Sequence, residues 1–368
     1  MKKVLVLTHE YYPHRGGVAR YCYSLFRHFD MSDYLVISDH PEIKTTDNIR
    51  HWRLKSHWLW PTWLITFFKL RRILREEKIG LIFTPNILPL GSLAYCLYLF
   101  DKIPYVISLH GLDIRLALRH KAWLTKLILA RASLILTNSN NTKEVISYFN
   151  LPEEKLQIFY PSLDLELKVE DQHLQYLRRK YELEPDDKIL LTVGRLNKRK
   201  GQDLVLKAIA QLCDLKIKYF IVGHGDLKAE LEGLIKNYNL TGKVFILESV
   251  ADEEKVYYYN LADIFVLPNR NDDVDVEGFG IVFLEAAACK LAIIAGNSGG
   301  VAEIWENNVN ALLIDNEDVK QLAAAVRKLL LDNEFRIKLA EAARRRFEQF
   351  ASSEQQSNRL KGLLAKIV

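Results

Sequence analysis

Cysteine is scarce in this 368-residue chain, with four in all: Cys22, Cys96, Cys213 and Cys289. They stand singly in apolar surroundings and never in C-x-x-C spacing. A disulfide framework and a zinc-ligand set are thereby excluded, and the four read as small buried hydrophobes in a reducing compartment. No unbroken apolar run reaches 18 residues, so no transmembrane helix is expected. Met1-Lys2-Lys3 leads straight into Val4-Leu5-Val6-Leu7, too short for the apolar region of a secretory signal, and a cytoplasmic chain is expected. Ten Pro and 17 Gly are too few for a collagen-like or linker-dominated chain. With 26% charged and 49% hydrophobic residues, the composition is that of a globular protein and excludes a mostly disordered one.

What the chain has is length. A single core rarely grows beyond about 250–300 residues, so two domains are expected. The net charge of +5 divides unevenly between the halves. Residues 1–164 carry 22 Lys/Arg and 14 Asp/Glu, a balance of +8, and the remainder carries 29 and 32, a balance of −3. A basic first half points to an anionic partner, a membrane surface or a nucleic acid.

The run Lys3–Thr8 is short and almost wholly apolar, as a buried parallel strand would be. A loop ending in Gly16-Gly17 follows, and Val18–Phe29 then has helical spacing. Further strands are expected near Tyr34–Ser38, Leu81–Phe83, Tyr105–Leu109 and Leu134–Asn138, with helical stretches between them. Asp164–Pro185 is charged and lacks strand signals. The rhythm then restarts with strands at Lys188–Val193, Ile217–Val222, Val244–Leu247, Ile264–Leu267, Ala292–Ala295 and Ala311–Ile314. Alternation of this kind predicts an α/β chain of two Rossmann-like domains, residues 1–163 and 164–350. Ligands of open α/β sheets bind beyond the carboxyl ends of the strands, and two facing sheets would hold one ligand between them.

Three strand-end segments carry candidate chemistry. Gly16-Gly17 opens a helix, where backbone N–H groups can approach an anion, although a tight strand–helix turn would need the same residues. It is not G-x-G-x-x-G, so a dinucleotide fingerprint is not supported. Gly194-Arg195-Leu196-Asn197-Lys198-Arg199-Lys200-Gly201 puts four cations beside a helix N-terminus, suited to a diphosphate. Glu277-Gly278-Phe279-Gly280-Ile281-Val282-Phe283-Leu284-Glu285 places one carboxylate in a loop and a second about one turn into a helix. Two carboxylates at different depths suit a polyhydroxylated ligand. Glu285 lies among Val282-Phe283-Leu284 and Ala286-Ala287-Ala288, an unfavourable place for an unpaired charge.

Taken in order, these pieces resemble a retaining glycosyltransferase of family 4 with the GT-B architecture. The matching segments are Gly16-Gly17, His110-Gly111-Leu112-Asp113, Asn138-Ser139, Pro161-Ser162-Leu163-Asp164, Gly194-Arg195-Leu196 with Lys200-Gly201, the E-x7-E pair Glu277/Glu285, and Ser298-Gly299-Gly300 with Glu303. Asp275–Val282 most resembles the branch that uses GDP-mannose. The resemblance implies that Arg195 and Lys200 bind the donor diphosphate and stabilise its charge as it leaves. It implies that Glu285 holds ribose hydroxyls. Glu277 would hold hydroxyls of the transferred sugar, helped by the backbone N–H groups of Phe279, Gly280 and Ile281. His110 would contact the sugar from the other domain. Gly16 and Gly17 would keep space beside the diphosphate or the acceptor, Gly194 would line the donor site, and the backbone near Gly223 and Val250 would face the base. No protein nucleophile is implied: the acceptor attacks from the front face and the departing phosphate takes its proton. The implied partners are a nucleotide diphosphate sugar and a lipid-linked or glycan acceptor. A UDP-sugar donor, or a nucleotide-sugar 2-epimerase of the same fold, is the alternative.

Asp273-x-Asp275 could be read as a metal-binding D-x-D. Beside E-x7-E and within two Rossmann-like units it reads instead as a loop shaping the sugar pocket, and no metal or cofactor is expected. Residues 51–63 hold four of the six tryptophans, Trp58, Trp60 and Trp63 among them, and run into Lys69, Arg71, Arg72 and Arg75. Trp beside Lys and Arg suits the headgroups of an anionic bilayer, which would place the chain peripherally on the inner face of the cell membrane. A core helix with a basic outer face would look similar. Stacking on single-stranded nucleic acid is disfavoured by the family resemblance. In this architecture the last helix, at about 351–368, crosses back onto the first domain, but the Trp that often marks the crossover is missing from Phe347–Ser352.

Overall fold

The computed structural model describes the chain except residues 1, 14–15, 42–44, 53–63, 164–168, 271–279, 316, 351 and 368, and the side chains of Leu112 and Phe350. The chain divides into two compact units, Met1–Asp164 with Phe350–Val368, and Leu165–Gln349.

The first unit holds a seven-stranded parallel sheet. Its strands are β1 (Lys3–Thr8), β2 (Tyr34–Ser38), β3 (Ile49–His51), β4 (Ile79–Thr84), β5 (Tyr105–Leu109), β6 (Leu134–Thr137) and β7 (Leu156–Ile158). They lie in the order β3-β2-β1-β4-β5-β6-β7. The connecting helices are α1 (Gly17–Phe26), α2 (Leu64–Glu76), α3 (Ser92–Asp101), α4 (Leu112–Arg131) and α5 (Asn140–Val145). Strands β2, β4 and β5 are buried along their whole length. Alternate residues feed different clusters: Leu5, Leu7, Leu35 and Ile37 join one, Val4, Val6, Tyr34 and Val36 another. A sheet covered on both faces needs apolar residues at consecutive positions, which is why these strands read as unbroken apolar runs. The edge strands β3 (Ile-Arg-His) and β7 (Leu-Gln-Ile) escaped the sequence reading because polar residues interrupt them and leave no apolar run.

The second unit holds a six-stranded parallel sheet, ordered β10-β9-β8-β11-β12-β13. Its strands are β8 (Lys188–Val193), β9 (Ile217–Val222), β10 (Val244–Leu247), β11 (Ile264–Leu267), β12 (Ala292–Gly296) and β13 (Leu312–Ile314). The helices are α6 (Asp171–Lys180), α7 (Gln202–Ile209), α8 (Lys228–Asn237), α9 (Lys255–Leu261), α10 (Ile281–Ala288), α11 (Val319–Leu331) and α12 (Asn333–Phe350).

The chain returns to the first unit through α13 (Ser353–Ala365). Ser352 caps it, its hydroxyl accepting from the Gln355 N–H at 3.4 Å. Leu360 and Leu364 are fully buried with Cys22, Phe26 and Phe159. His28 Nε2 lies 2.6 Å from Ser353 Oγ, and Lys361 Nζ donates to the His28 carbonyl at 2.7 Å. The return therefore needs no tryptophan: two buried leucines contribute about 1.5–3 kcal/mol each. The cysteine expectation needs correction. Cys22 is buried, Cys96 and Cys289 are half-buried, and Cys213 is exposed because the turn after α7 directs the neighbouring Leu212 inward instead. Among the described residues no helix is long and apolar enough to cross a membrane. Leu360→Ala is expected to destabilise the chain by about 2–5 kcal/mol in urea titrations, because it opens a cavity under α13.

Candidate active site

In the second sheet the strand order reverses between β8 and β11, so the segments after these two strands border a crevice. After β8 the chain reaches Gly194 at φ +155°, a conformation that suits glycine. A side chain at Gly223 would bring its Cβ within 2.0 Å of the Gly194 carbonyl, so the ends of β8 and β9 approach closely only because this residue is glycine. Arg195 is exposed, and Leu196 is buried and anchors the loop. The Asn197 side chain accepts from the Lys200 N–H at 3.3 Å and caps a tight turn, Lys198–Lys200. Gln202 Nε2 donates to the Arg195 carbonyl at 3.0 Å. Lys200 is only 7% exposed, and its Nζ lies beside the Gly194 backbone. Of the two expected phosphate cations, one is thus held at the strand end and the other reaches into solvent.

The turn is fixed by residues that the sequence reading passed over. Arg270, three residues past β11 and buried, donates to both carboxylate oxygens of Asp203 at 2.7 Å. It also donates to the Lys198 carbonyl and to Glu317, and its own N–H reaches the Arg199 carbonyl at 2.7 Å. Burial opposes ionisation of Asp203, yet Arg270 holds its carboxyl below the usual range. Asn269 ties β11 to β12: its Oδ1 accepts from the Gly296 N–H at 3.3 Å, and its Nδ2 donates to Ser298 Oγ. Arg270 and Asn269 lie 67 and 29 residues from these side-chain partners, so no local pattern marks them.

Glu285 lies on α10 and is 1% exposed. Tyr259, on α9, donates its hydroxyl to Glu285 Oε2 at 2.6 Å. That partner answers the objection to a charge among Phe283, Leu284 and three alanines. Gly280 opens α10 at φ 77°, with Ile281 as the first helical residue. Val250, past β10, is buried at 9% exposure. Glu277 and Phe279, and Asp273 and Asp275 of the metal alternative, lie outside the described residues. Among the described residues no three His, Cys, Asp or Glu side chains could hold a metal together.

In the first unit Gly16 precedes α1 in an extended conformation and Gly17 is its first residue. His110 follows β5. Its ring meets Tyr21 edge-on, centroids 4.7 Å apart, and Tyr21 Oη accepts from Ser108 Oγ at 3.1 Å. His110 Nε2 is shielded from solvent and without a partner. Burial lowers the His110 pKa to about 4, so the ring is neutral at pH 7. Asp113, in the first turn of α4, accepts from the His110 N–H at 2.9 Å and fixes the bend that presents the ring. Burial pushes the Asp113 pKa up to about 6 against hydrogen bonds from backbone N–H groups. Trp58, Trp60 and Trp63 lie outside the described residues. Lys69 stands over the Trp52 ring, Arg71 pairs with Asp101 at 2.8 Å, Arg72 with Glu76 at 2.6 Å, and Arg75 reaches Asp101 at 4.0 Å.

Residues 175–346 match the family described as Glycosyl transferases group 1, and residues 15–167 the one described as Glycosyltransferase Family 4. A GDP-mannose-dependent alpha-(1-6)-phosphatidylinositol monomannoside mannosyltransferase of Mycobacterium tuberculosis is 27% identical over 94% of this chain and 93% of its own length. A 4-alpha-N-acetylgalactosaminyltransferase of Campylobacter jejuni that acts on N-acetylgalactosamine-N,N'-diacetylbacillosaminyl-diphospho-undecaprenol is 30% identical over 66% of this chain and 63% of its own length. The crystal structure of Anabaena Alr3699/HepE in complex with UDP superposes with a TM-score of 0.82 at 18% identity, covering 99% of this chain and 100% of that one. At that identity the likeness is one of fold.

His110 and Asp113 pull the pH dependence of stability in opposite directions. Asp113 binds its proton more tightly when folded, so its contribution is present below its ordinary 3.8 and lost as pH rises through about 6. His110 binds its proton less tightly when folded, so its contribution is present above its ordinary 6.5 and lost as pH falls towards about 4. Asp113→Asn removes the first effect and keeps an acceptor for the His110 N–H. Denaturant titrations from pH 7 to pH 4 are expected to show a steeper loss of stability in the variant than in the parent. Parallel curves would remove Asp113 from the balance.

Proposed function

Because the chain resembles the family 4 glycosyltransferases of GT-B architecture, we propose that it is a retaining enzyme moving a hexose, mannose from GDP-mannose, to a lipid-linked or glycan acceptor. The observation that carries this reading is the half-site around β8: buried Lys200 and exposed Arg195 at one strand end, braced by Arg270 and Asp203. A cation held at a departing diphosphate, as Lys200 would be, stabilises the charge that develops there and needs no rearrangement as it appears. Glu285, held by Tyr259, takes the ribose hydroxyls. Glu277 takes the hydroxyls of the transferred sugar, and His110 contributes a neutral imidazole to the sugar. The acceptor hydroxyl attacks the anomeric carbon on the face from which the diphosphate leaves, and its proton passes to a departing phosphate oxygen. No metal takes part, so turnover is expected to be equal with and without chelator. Mannose and GDP are favoured by the mannosyltransferase named among the relatives, at 27% identity over 94% of the chain. A UDP-sugar donor is the second reading, favoured by the UDP in the Anabaena structure.

We also propose that the first unit rests on an anionic membrane from the cytoplasmic side. Phe68 and Phe100 are 61% and 66% exposed, and Arg71 lies over the Phe67 and Phe100 rings. Exposed aromatic rings beside arginines suit the headgroup region.

Three experiments test these proposals. The protein is incubated with GDP- and UDP-sugars, with and without membrane lipid extract, and nucleotide release is scored. Release from GDP-mannose that rises with lipid is expected, and failure of every sugar nucleotide to bind at millimolar concentration would sink the enzyme reading. Lys200→Ala is expected to lower kcat by about 10²–10³ while leaving the far-ultraviolet circular dichroism intact. Phe68→Ser with Phe100→Ser is expected to weaken cosedimentation with phosphatidylglycerol vesicles at low salt. Unchanged sedimentation would remove this face from the membrane proposal.

A further inference from the structure

The carboxyl edge of the first sheet carries a polar cluster that the reading above leaves unused. It sits where the strand order reverses, between β1 and β4, the place at which open α/β sheets take ligands. His9 follows β1 directly, Asp39 follows β2, and Asn86 lies two residues past β4.

His9 Nδ1 lies 2.9 Å from Asp39 Oδ1. A carboxylate only accepts, so the hydrogen sits on Nδ1. Nε2 is then a lone-pair acceptor on the neutral ring or a donor on the cation. The main chain of His9 is held as well: its carbonyl accepts from Ser38 Oγ at 3.0 Å, and its N–H reaches Asn86 Oδ1 at 3.5 Å. Nε2 is shielded from solvent and has no partner. The side chains of His9 and Asp39 remain 22% and 19% exposed, so the pair borders the surface. A ring fixed through its other nitrogen and through its backbone, with one desolvated and unpaired nitrogen, stands to gain a hydrogen bond from a ligand hydroxyl.

We propose that His9, oriented by Asp39, binds a hydroxyl of the acceptor sugar through Nε2, with Asp39 as a positioning residue. This rests on the glycosyltransferase reading and names the side of the reaction that Arg195, Lys200 and Glu285 do not serve.

The test uses the full-length chain, the sugar nucleotide it turns over, and octyl α-D-mannoside and octyl α-D-glucoside as acceptor probes. His9→Asn keeps a polar atom near Nδ1, against Asp39, and removes Nε2. His9→Gln keeps a polar atom near Nε2 and gives up the contact with Asp39. His9→Asn is expected to lower kcat/KM for transfer about tenfold, with the loss falling on the acceptor KM rather than the donor KM. His9→Gln is expected to recover part of that loss, and Asp39→Asn to raise the acceptor KM by less than His9→Asn does. A purely structural role reverses the order, with His9→Asn near the parent and His9→Gln impaired, and overturns the proposal. A parent chain that hydrolyses its donor but transfers to neither probe overturns it too. A parent chain with no donor turnover overturns the glycosyltransferase reading itself.

Discussion

Parallel strands paired side by side and covered on both faces leave almost no place for a polar side chain within the sheet. Strands β2, β4 and β5 are buried end to end, and both sheets are wholly parallel. Polar groups are therefore pushed to the ends, and the crossover connections gather them at the carboxyl ends. Gly194 and Arg195 follow β8, Asn269 and Arg270 follow β11, His9 follows β1, Asn86 follows β4 and His110 follows β5. Each lies within three residues of a rigid strand, so its backbone is placed by the sheet rather than by a loop.

The buried charges in the second unit follow from the same constraint. Lys200, Asp203, Arg270 and Glu285 are each less than 9% exposed, and an isolated charge so placed would be costly. Asp203 and Arg270 answer each other through two hydrogen bonds, and Glu285 accepts from Tyr259. A buried pair of this kind adds little net stability, because desolvation offsets the attraction. Its value lies in position: Arg270 also takes the Lys198 carbonyl, and so sets the turn that carries Lys200 to the end of β8. In the first unit, burial keeps His110 neutral while Asp113 resists ionisation.

Much of this was legible in the residues, for identifiable reasons. The apolar runs at Lys3–Thr8, Lys188–Val193 and Ile264–Leu267 coincide with strands because a doubly covered strand needs apolar side chains on both faces. The fold followed from their alternation with helical spacing. The cation-rich segment after Val193 and the buried carboxylate at 285 were visible because both are unusual in their local surroundings. The short strands β3 and β7 were not visible, because Arg50 and Gln157 interrupt them and leave no apolar run. Nor were Arg270 and Asn269, whose partners are 67 and 29 residues away. The exposure of Cys213 was hidden by apolar neighbours that a turn directs elsewhere.

The sequence by itself determined the α/β class, the restart of the strand rhythm after residue 185 and the residue types available for binding an anion and hydroxyl groups. These depend on local spacing, and local spacing is written in the chain. Tertiary structure alone decided which of the cations is buried, which carboxylate braces the Lys198–Lys200 turn and that His9 meets Asp39. Such pairings form only when strands distant in sequence become neighbours in the sheet. Strand order is a property of long-range pairing, and no spacing within a single segment encodes it.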